Sequence, residues 1–182
     1  MSDSALSQPQ PVTAGKVRLR GKVDRIDVGE DFFTIIDYKT GAAIASMREI
    51  REGWSLQLPV YLYAVEALLR ASTGASLDPA AGLYYRLRDP VELKVGIGDG
   101  RYRETAFDSG RTERVVSDGN ALREVIESAV AIVNGFVDQM AGGKFPLTSP
   151  ENIPRICSYC EFKTICRIQA VRHVRPGEQD EQ

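Results

Sequence analysis

Two acids and a lysine carry the chemical possibilities of this sequence. Asp37 and Lys39 stand two apart in DYKTG, at the end of the apolar run FFTII, and Asp24 lies upstream in GKVDRID. Side chains alternate between the faces of a strand, so Asp37 and Lys39 share one side while Tyr38 points away. By the same alternation Lys22, Asp24 and Ile26 share a face, and Asp24 meets the other two if the strand register allows it. Carboxylates are hard oxygen donors of the kind that magnesium or manganese takes, and the carbonyl of Tyr38 offers a further oxygen. Divalent ions can generate hydroxide near neutral pH and stabilise charge on a scissile phosphate and its leaving oxygen, the two needs of phosphodiester hydrolysis. Lys39 would orient the nucleophile, neutralise developing charge or accept a proton. An isolated Asp-x-Lys is more often a surface ion pair, so the surrounding elements decide its meaning. Asp27 faces away from Asp24 and reads as a turn residue or a partner of Arg25.

Those elements follow from the hydrophobic pattern. KVRLRGKVDRIDVG and FFTIIDYK flank the turn GED and read as a hairpin. Ser55 to Ala71 is apolar around most of its circumference, as a helix packed on a sheet would be, with Pro59 tolerated in its first turn. Gln57 and Tyr61 are four apart on one face of that helix and form the polar end of a stripe continued by Ala64 and Leu68. After the linker STGASLDPA, the runs AAGLYYRLRD and VELKVGI read as strands, and RYRETAF as a further strand at the edge. From Asn120 to Met140 the apolar positions recur at helical spacing, and Gly142 and Gly143 end the run. The expected fold is α/β, a central mixed sheet flanked by helices.

A chain of 182 residues, 43% hydrophobic and 26% charged, belongs to the soluble globular class and suffices for one domain with a real core. The expected organisation is a disordered lead over 1–14, one domain over 15–168 with a cysteine-rich end at 156–168, and a flexible tail over 169–182. The start resembles no signal peptide and no apolar run approaches the roughly 18 residues of a membrane span, so a cytoplasmic protein without membrane contact is expected. A net charge of -2 gives no global support for nucleic-acid binding, although KVRLRGK and YYRLR are locally basic. A phosphate-bearing partner would need added positive charge, which a pair of divalent ions supplies.

Cys157, Cys160 and Cys166 form C-x2-C-x5-C, close enough in sequence to converge on one metal ion or cluster. His173, the sole histidine, would complete a Cys3His zinc site or is a plain surface residue. Buried thiols without a ligand are the alternative.

Taken in order, LRGKVDRID, IIDYKTG and LQLPVYLYA resemble the RecB/AddB-type branch of the PD-(D/E)XK nuclease superfamily, and the likeness runs over about residues 15 to 168. It implies a restriction-endonuclease-like sheet, metal binding by Asp24 and Asp37, a catalytic role for Lys39, and Gln57 and Tyr61 beside the active site. The cysteines are similar to the carboxy-terminal part of the iron-sulfur staple of AddB-type nucleases, where a fourth cysteine before the core completes a 4Fe-4S site. Here no cysteine precedes Cys157, which leaves the fourth ligand to another segment or chain, to solvent, or to His173 with zinc. The family also has a helix before its first core strand that often supplies another acid or a histidine. Fifteen residues precede Lys16, with Asp3 their only acid, so the chain is expected to be part of a larger module or a shortened relative.

The resemblance implies a magnesium- or manganese-dependent DNA nuclease, acting as an exonuclease on single-stranded ends beside a helicase in double-strand break repair and recombination. A second expectation is a DNA-binding or assembly module of a helicase-nuclease complex that keeps the fold without full catalysis. A zinc-ribbon-like binding protein is the third, resting on the cysteines alone.

Overall fold

The computed structural model describes residues 11–41, 44–107, 115–116 and 118–166. The chain divides into two compact units, residues 1–138 and 139–182. The first unit contains a five-stranded mixed sheet in the order β3-β4-β5-β6-β7, from β3 (Arg25–Val28), β4 (Phe32–Lys39), β5 (Asp78–Arg86), β6 (Glu92–Asp99) and β7 (Val115–Val116). Neighbours β3 and β4 run antiparallel, as do β5 and β6, while β4 pairs with β5 and β6 with β7 in parallel. Parallel neighbours need a crossover, and here α1 (Met47–Arg51) and α2 (Gln57–Thr73) form it between β4 and β5.

The hairpin expected at residues 16–39 is present but broken. Its first strand splits into β2 (Val17–Leu19) and β3, with Arg20 to Asp24 outside regular pairing. β2 pairs instead with β1 (Val12–Ala14), which corrects the placement of residues 12–14 in a disordered lead. Long-range anchoring explains this. Asn134 accepts from the Lys16 N–H at 2.9 Å and donates to the Ala14 carbonyl at 3.0 Å, and Lys16 pairs with Asp138 at 2.6 Å. Gly15 turns the chain with φ 63°, and a Cβ there would meet the Asn134 side chain. Residues 1–10, the rest of the expected lead, lie outside the described residues, as does the expected tail over 169–182.

RYRETAF is not a strand. Gly100–Tyr102 forms a 3-10 turn capped by Asp99, and the sheet edge is β7. The Asp99 carboxylate, fully buried, accepts from the Arg101 backbone at 2.9 Å and from its guanidinium at 2.7 and 2.9 Å. Arg101 also reaches Asp78 at 3.0 Å, so a buried charge is paired and the start of β5 is tied to the end of β6.

One sheet face carries the main core: Phe33, Ile35, Tyr84 and Ile97 pack with Ile50 of α1, Leu58, Leu62, Val65 and Leu69 of α2, and Leu122, Val125 and Ile126 of α3 (Gly119–Ala141). On the opposite face Ile36, Ala81, Leu83 and Phe107 form a smaller cluster, and Tyr38 and Leu93 stay exposed. Ser46 and Glu49 cap α1 reciprocally, a helix the periodicity does not reveal although S-x-x-E announces it. The helices expected at 55–71 and 120–140 begin and end within two residues of α2 and α3.

In the second unit, α4 (Ile153–Ile156) and α5 (Lys163–Cys166) bracket Cys157 to Phe162. No helix among the described residues is long and apolar enough to cross a membrane.

Leu58 sits over two strand glycines. A Cβ on Gly82 would lie 3.1 Å from Leu58 Cβ, and one on Gly96 would collide with Leu58 Cδ1. Leu58→Ala should lose about 2–5 kcal/mol of unfolding free energy and Gly96→Ala about 1–3 kcal/mol. Because the added methyl enters the space that Leu58 vacates, the double variant should lose less than the sum, and additivity in urea unfolding would contradict this packing.

Candidate functional site

β4 ends beneath the first turn of α2. Phe33 and Ile35 point into the core, and the next two residues of that face are Asp37 and Lys39. The first turn of α2 lies opposite and presents Gln57. Its side-chain amide bridges the pair: Nε2 donates to Asp37 Oδ1 at 2.7 Å, and Oε1 accepts from Lys39 Nζ at 2.8 Å. The ammonium closes the ring by lying 2.7 Å from Asp37 Oδ2. Asp37 is 5% exposed, so its charge depends on these partners, whereas Lys39 keeps access to solvent.

One oxygen is left over. Asp37 Oδ2 is buried and accepts no hydrogen bond of acceptable geometry among the described residues, although the Lys39 ammonium is close. An ion pair without an aligned hydrogen bond leaves a lone pair directed at neither partner.

Asp24 reaches the same strand end from the position just before β3. Arg25 pairs with Ile36, and continuing that register by one pair sets Asp24 across from Asp37. Its carboxylate accepts from the Tyr38 N–H at 3.1 Å and is open to solvent. The Tyr38 ring is on the opposite face, edge-on to Tyr85 at 5.7 Å. Arg25 bonds Asp27 at 2.8 Å, and that bond first, then Tyr38, holds its guanidinium above the ordinary range. Tyr61, one turn after Gln57, has its hydroxyl 3.5 Å from Gln57 Nε2 and stands at the margin of the network.

Asp37, Lys39 and Gln57 therefore meet at one strand end, and Asp24 accepts from the Tyr38 N–H of the same strand end. Asp24 and Asp37 with a backbone carbonyl suit a hard cation that completes its shell with water and substrate oxygens, and the orphaned Asp37 oxygen fits that use. Among the described residues no group of three or more His, Cys, Asp or Glu side chains is placed to hold a metal ion by itself.

The same finding covers Cys157, Cys160 and Cys166, which are not gathered as one metal-holding group among the described residues. All three are free thiols, with Cys157 buried at the end of α4, Cys160 half-buried in the following turn and Cys166 exposed at the end of α5. His173 lies outside the described residues.

Tyr84 is the neighbour that sequence reasoning missed. Its ring centroid lies 5.4 Å from Lys39 Nζ because parallel register puts Tyr84 beside Asp37. The run YYR marks a strand, but nothing in it states which residue of β4 it would adjoin.

Over 161 residues, 82% of this chain and 14% of the relative, the sequence is 28% identical to an ATP-dependent helicase/deoxyribonuclease subunit of Clostridium botulinum. The corresponding subunit of Clostridium kluyveri is 29% identical, over 84% of this chain and 17% of its own length. That of Desulforudis audaxviator is 30% identical over 68% of this chain and 11% of its own length. The chain thus spans less than a fifth of each of these relatives. Residues 3–167 match the profile of the PD-(D/E)XK nuclease superfamily. With an Asp-x-Lys strand end and a mixed sheet flanked by helices in place, the chain belongs to the PD-(D/E)XK nuclease superfamily.

Proposed function

We propose that this chain is the nuclease domain of a helicase-nuclease assembly and hydrolyses DNA phosphodiesters with magnesium or manganese. The observation that carries this reading is the buried Asp37 carboxylate, bridged by Gln57 to Lys39, with a second oxygen that is ion-paired to Lys39 and accepts no hydrogen bond among the described residues. Nucleases of this superfamily typically use divalent metals. When bound, such ions supply an activated water and stabilise charge on the phosphate. Asp24, Asp37 and the Tyr38 carbonyl would hold them. The Lys39 ammonium stays partly accessible to solvent, where it neutralises charge on a phosphate oxygen. Gln57 keeps that ammonium and the carboxylate in fixed register, and Tyr61 supports Gln57 from the next turn.

The finer reading is an exonuclease on single-stranded ends, working in the cytoplasm with a helicase partner in double-strand break repair and recombination. The relatives, named for helicase and deoxyribonuclease activity, favour that setting. A second reading, a DNA-binding or assembly module with impaired catalysis, is favoured by the pair of acids where no third joins them among the described residues.

The cysteine segment enters no catalytic step. A 4Fe-4S cluster with an outside fourth ligand, or zinc with His173, rests on the C-x2-C-x5-C spacing and on three thiols left free. Protein prepared anaerobically should contain iron and acid-labile sulfide if the cluster reading holds, zinc alone if the Cys3His reading holds, and neither if both are wrong.

The parent chain should cleave single-stranded DNA with magnesium or manganese and stop on chelation. Asp24→Ala, Asp37→Ala and Lys39→Ala should each lower the rate by roughly 10² or more, the scale of removing one charge-stabilising group. Equal activity in parent and variants would place the chemistry elsewhere, and stoichiometric DNA binding by a parent without cleavage would favour the second reading. Gln57→Ala should cost about 10- to 100-fold, as losses of residues that orient ligands do.

A further inference from the structure

We propose that Tyr84 is a positioning residue for Lys39, holding the ammonium by the face of its ring. This rests on the nuclease reading of the Lys39 site, and it concerns a residue to which neither the motifs nor the family likeness draws attention.

Three groups surround Lys39 Nζ. Asp37 Oδ2 lies at 2.7 Å, Gln57 Oε1 at 2.8 Å and the Tyr84 ring centroid at 5.4 Å. An ammonium has three protons. The carboxylate and the amide oxygen occupy one side of the group, and without a third contact the flexible four-carbon stem would let the head swing toward solvent. An aromatic face attracts the cation from a further direction, more strongly where water is scarce, and Tyr84 is 2% exposed.

The ring itself cannot move far. β4–β5 pairing fixes Tyr84 beside Asp37, and β6 carries Gly96 under the ring, where a Cβ would stand 2.7 Å from Tyr84 Cε2. The sheet thus omits a side chain where one would collide with the ring that Lys39 lies over. A ring also suits this position chemically. A third carboxylate would pull the ammonium inward or compete for a divalent ion, whereas the quadrupole of an aromatic face attracts a cation without providing a ligand oxygen.

The test compares Tyr84→Leu with Tyr84→Phe. Leucine fills much of the volume without a ring face; phenylalanine keeps the face. Tyr84→Leu should lower kcat roughly five- to thirtyfold with KM nearly constant, and Tyr84→Phe should recover most of that loss. In a Lys39→Ala background, Tyr84→Leu should add no further loss. A second readout needs neither DNA, metal nor activity: in protein labelled with 13C at lysine, the ε-methylene protons of Lys39, assigned through Lys39→Arg, should resonate upfield from ring current. That displacement should persist in Tyr84→Phe and vanish in Tyr84→Leu.

Unshifted Lys39 resonances in the parent would overturn the proposal, and this spectrum decides even if Tyr84→Leu fails to fold. Equal kcat in Tyr84→Leu and parent would also overturn it. A shifted resonance in a parent that cleaves no DNA would instead sink the nuclease reading and leave the contact standing.

Discussion

Everything at the strand end depends on one buried negative charge. A carboxylate taken out of water has to be matched by a nearby cation or by hydrogen bonds, and Asp37 has both, from Lys39 and Gln57. That requirement fixes more than a local contact. It brings the first turn of α2 over the end of β4, selects an amide at Gln57 because the residue must donate to one partner and accept from the other, and keeps the Lys39 head beside the carboxylate. Gln57 is the only one of the three that touches both others through hydrogen bonds among the described residues, so it sets their spacing.

The apolar structure behind the site serves the same end. Leu58 follows Gln57 and drops onto the glycines of β5 and β6, which lets the helix approach the sheet closely enough for a side chain as short as glutamine to reach the strand. A helix seated higher on branched side chains would carry the amide away from the pair. Packing and polar geometry are consecutive residues of one turn, and they are satisfied together.

Much of this was legible in the residues themselves. Period two put Asp37 and Lys39 on one side, period 3.6 put Gln57 and Tyr61 on another, and both long helices were delimited by their apolar stripes. What remained hidden was long-range. RYRETAF alternates like a strand, yet the buried Asp99 draws Arg101 back and closes a turn. Val12–Ala14 lies among polar residues, and its pairing with β2 is held by partners far along the chain, Tyr63 on the Thr13 carbonyl and Asn134 on the Ala14 carbonyl. The role of Tyr84 depends on a register between strands joined through two helices, and no local pattern encodes that.

The parallel pairing of β4 with β5 runs from Phe32 and Asp78 to Lys39 and Arg86, with its one irregularity at Phe33 and Thr34, before the site. From Thr34 onward the two strands are counted residue for residue. Adding or deleting a single residue in that stretch would turn Asp37 to the far side and bring Ile36 or Tyr38 into its place, so lineages carrying this site can change length only outside it. The segment after α2, where Gly74 ends the helix in the left-handed region and the chain is exposed, can absorb such changes without disturbing the count.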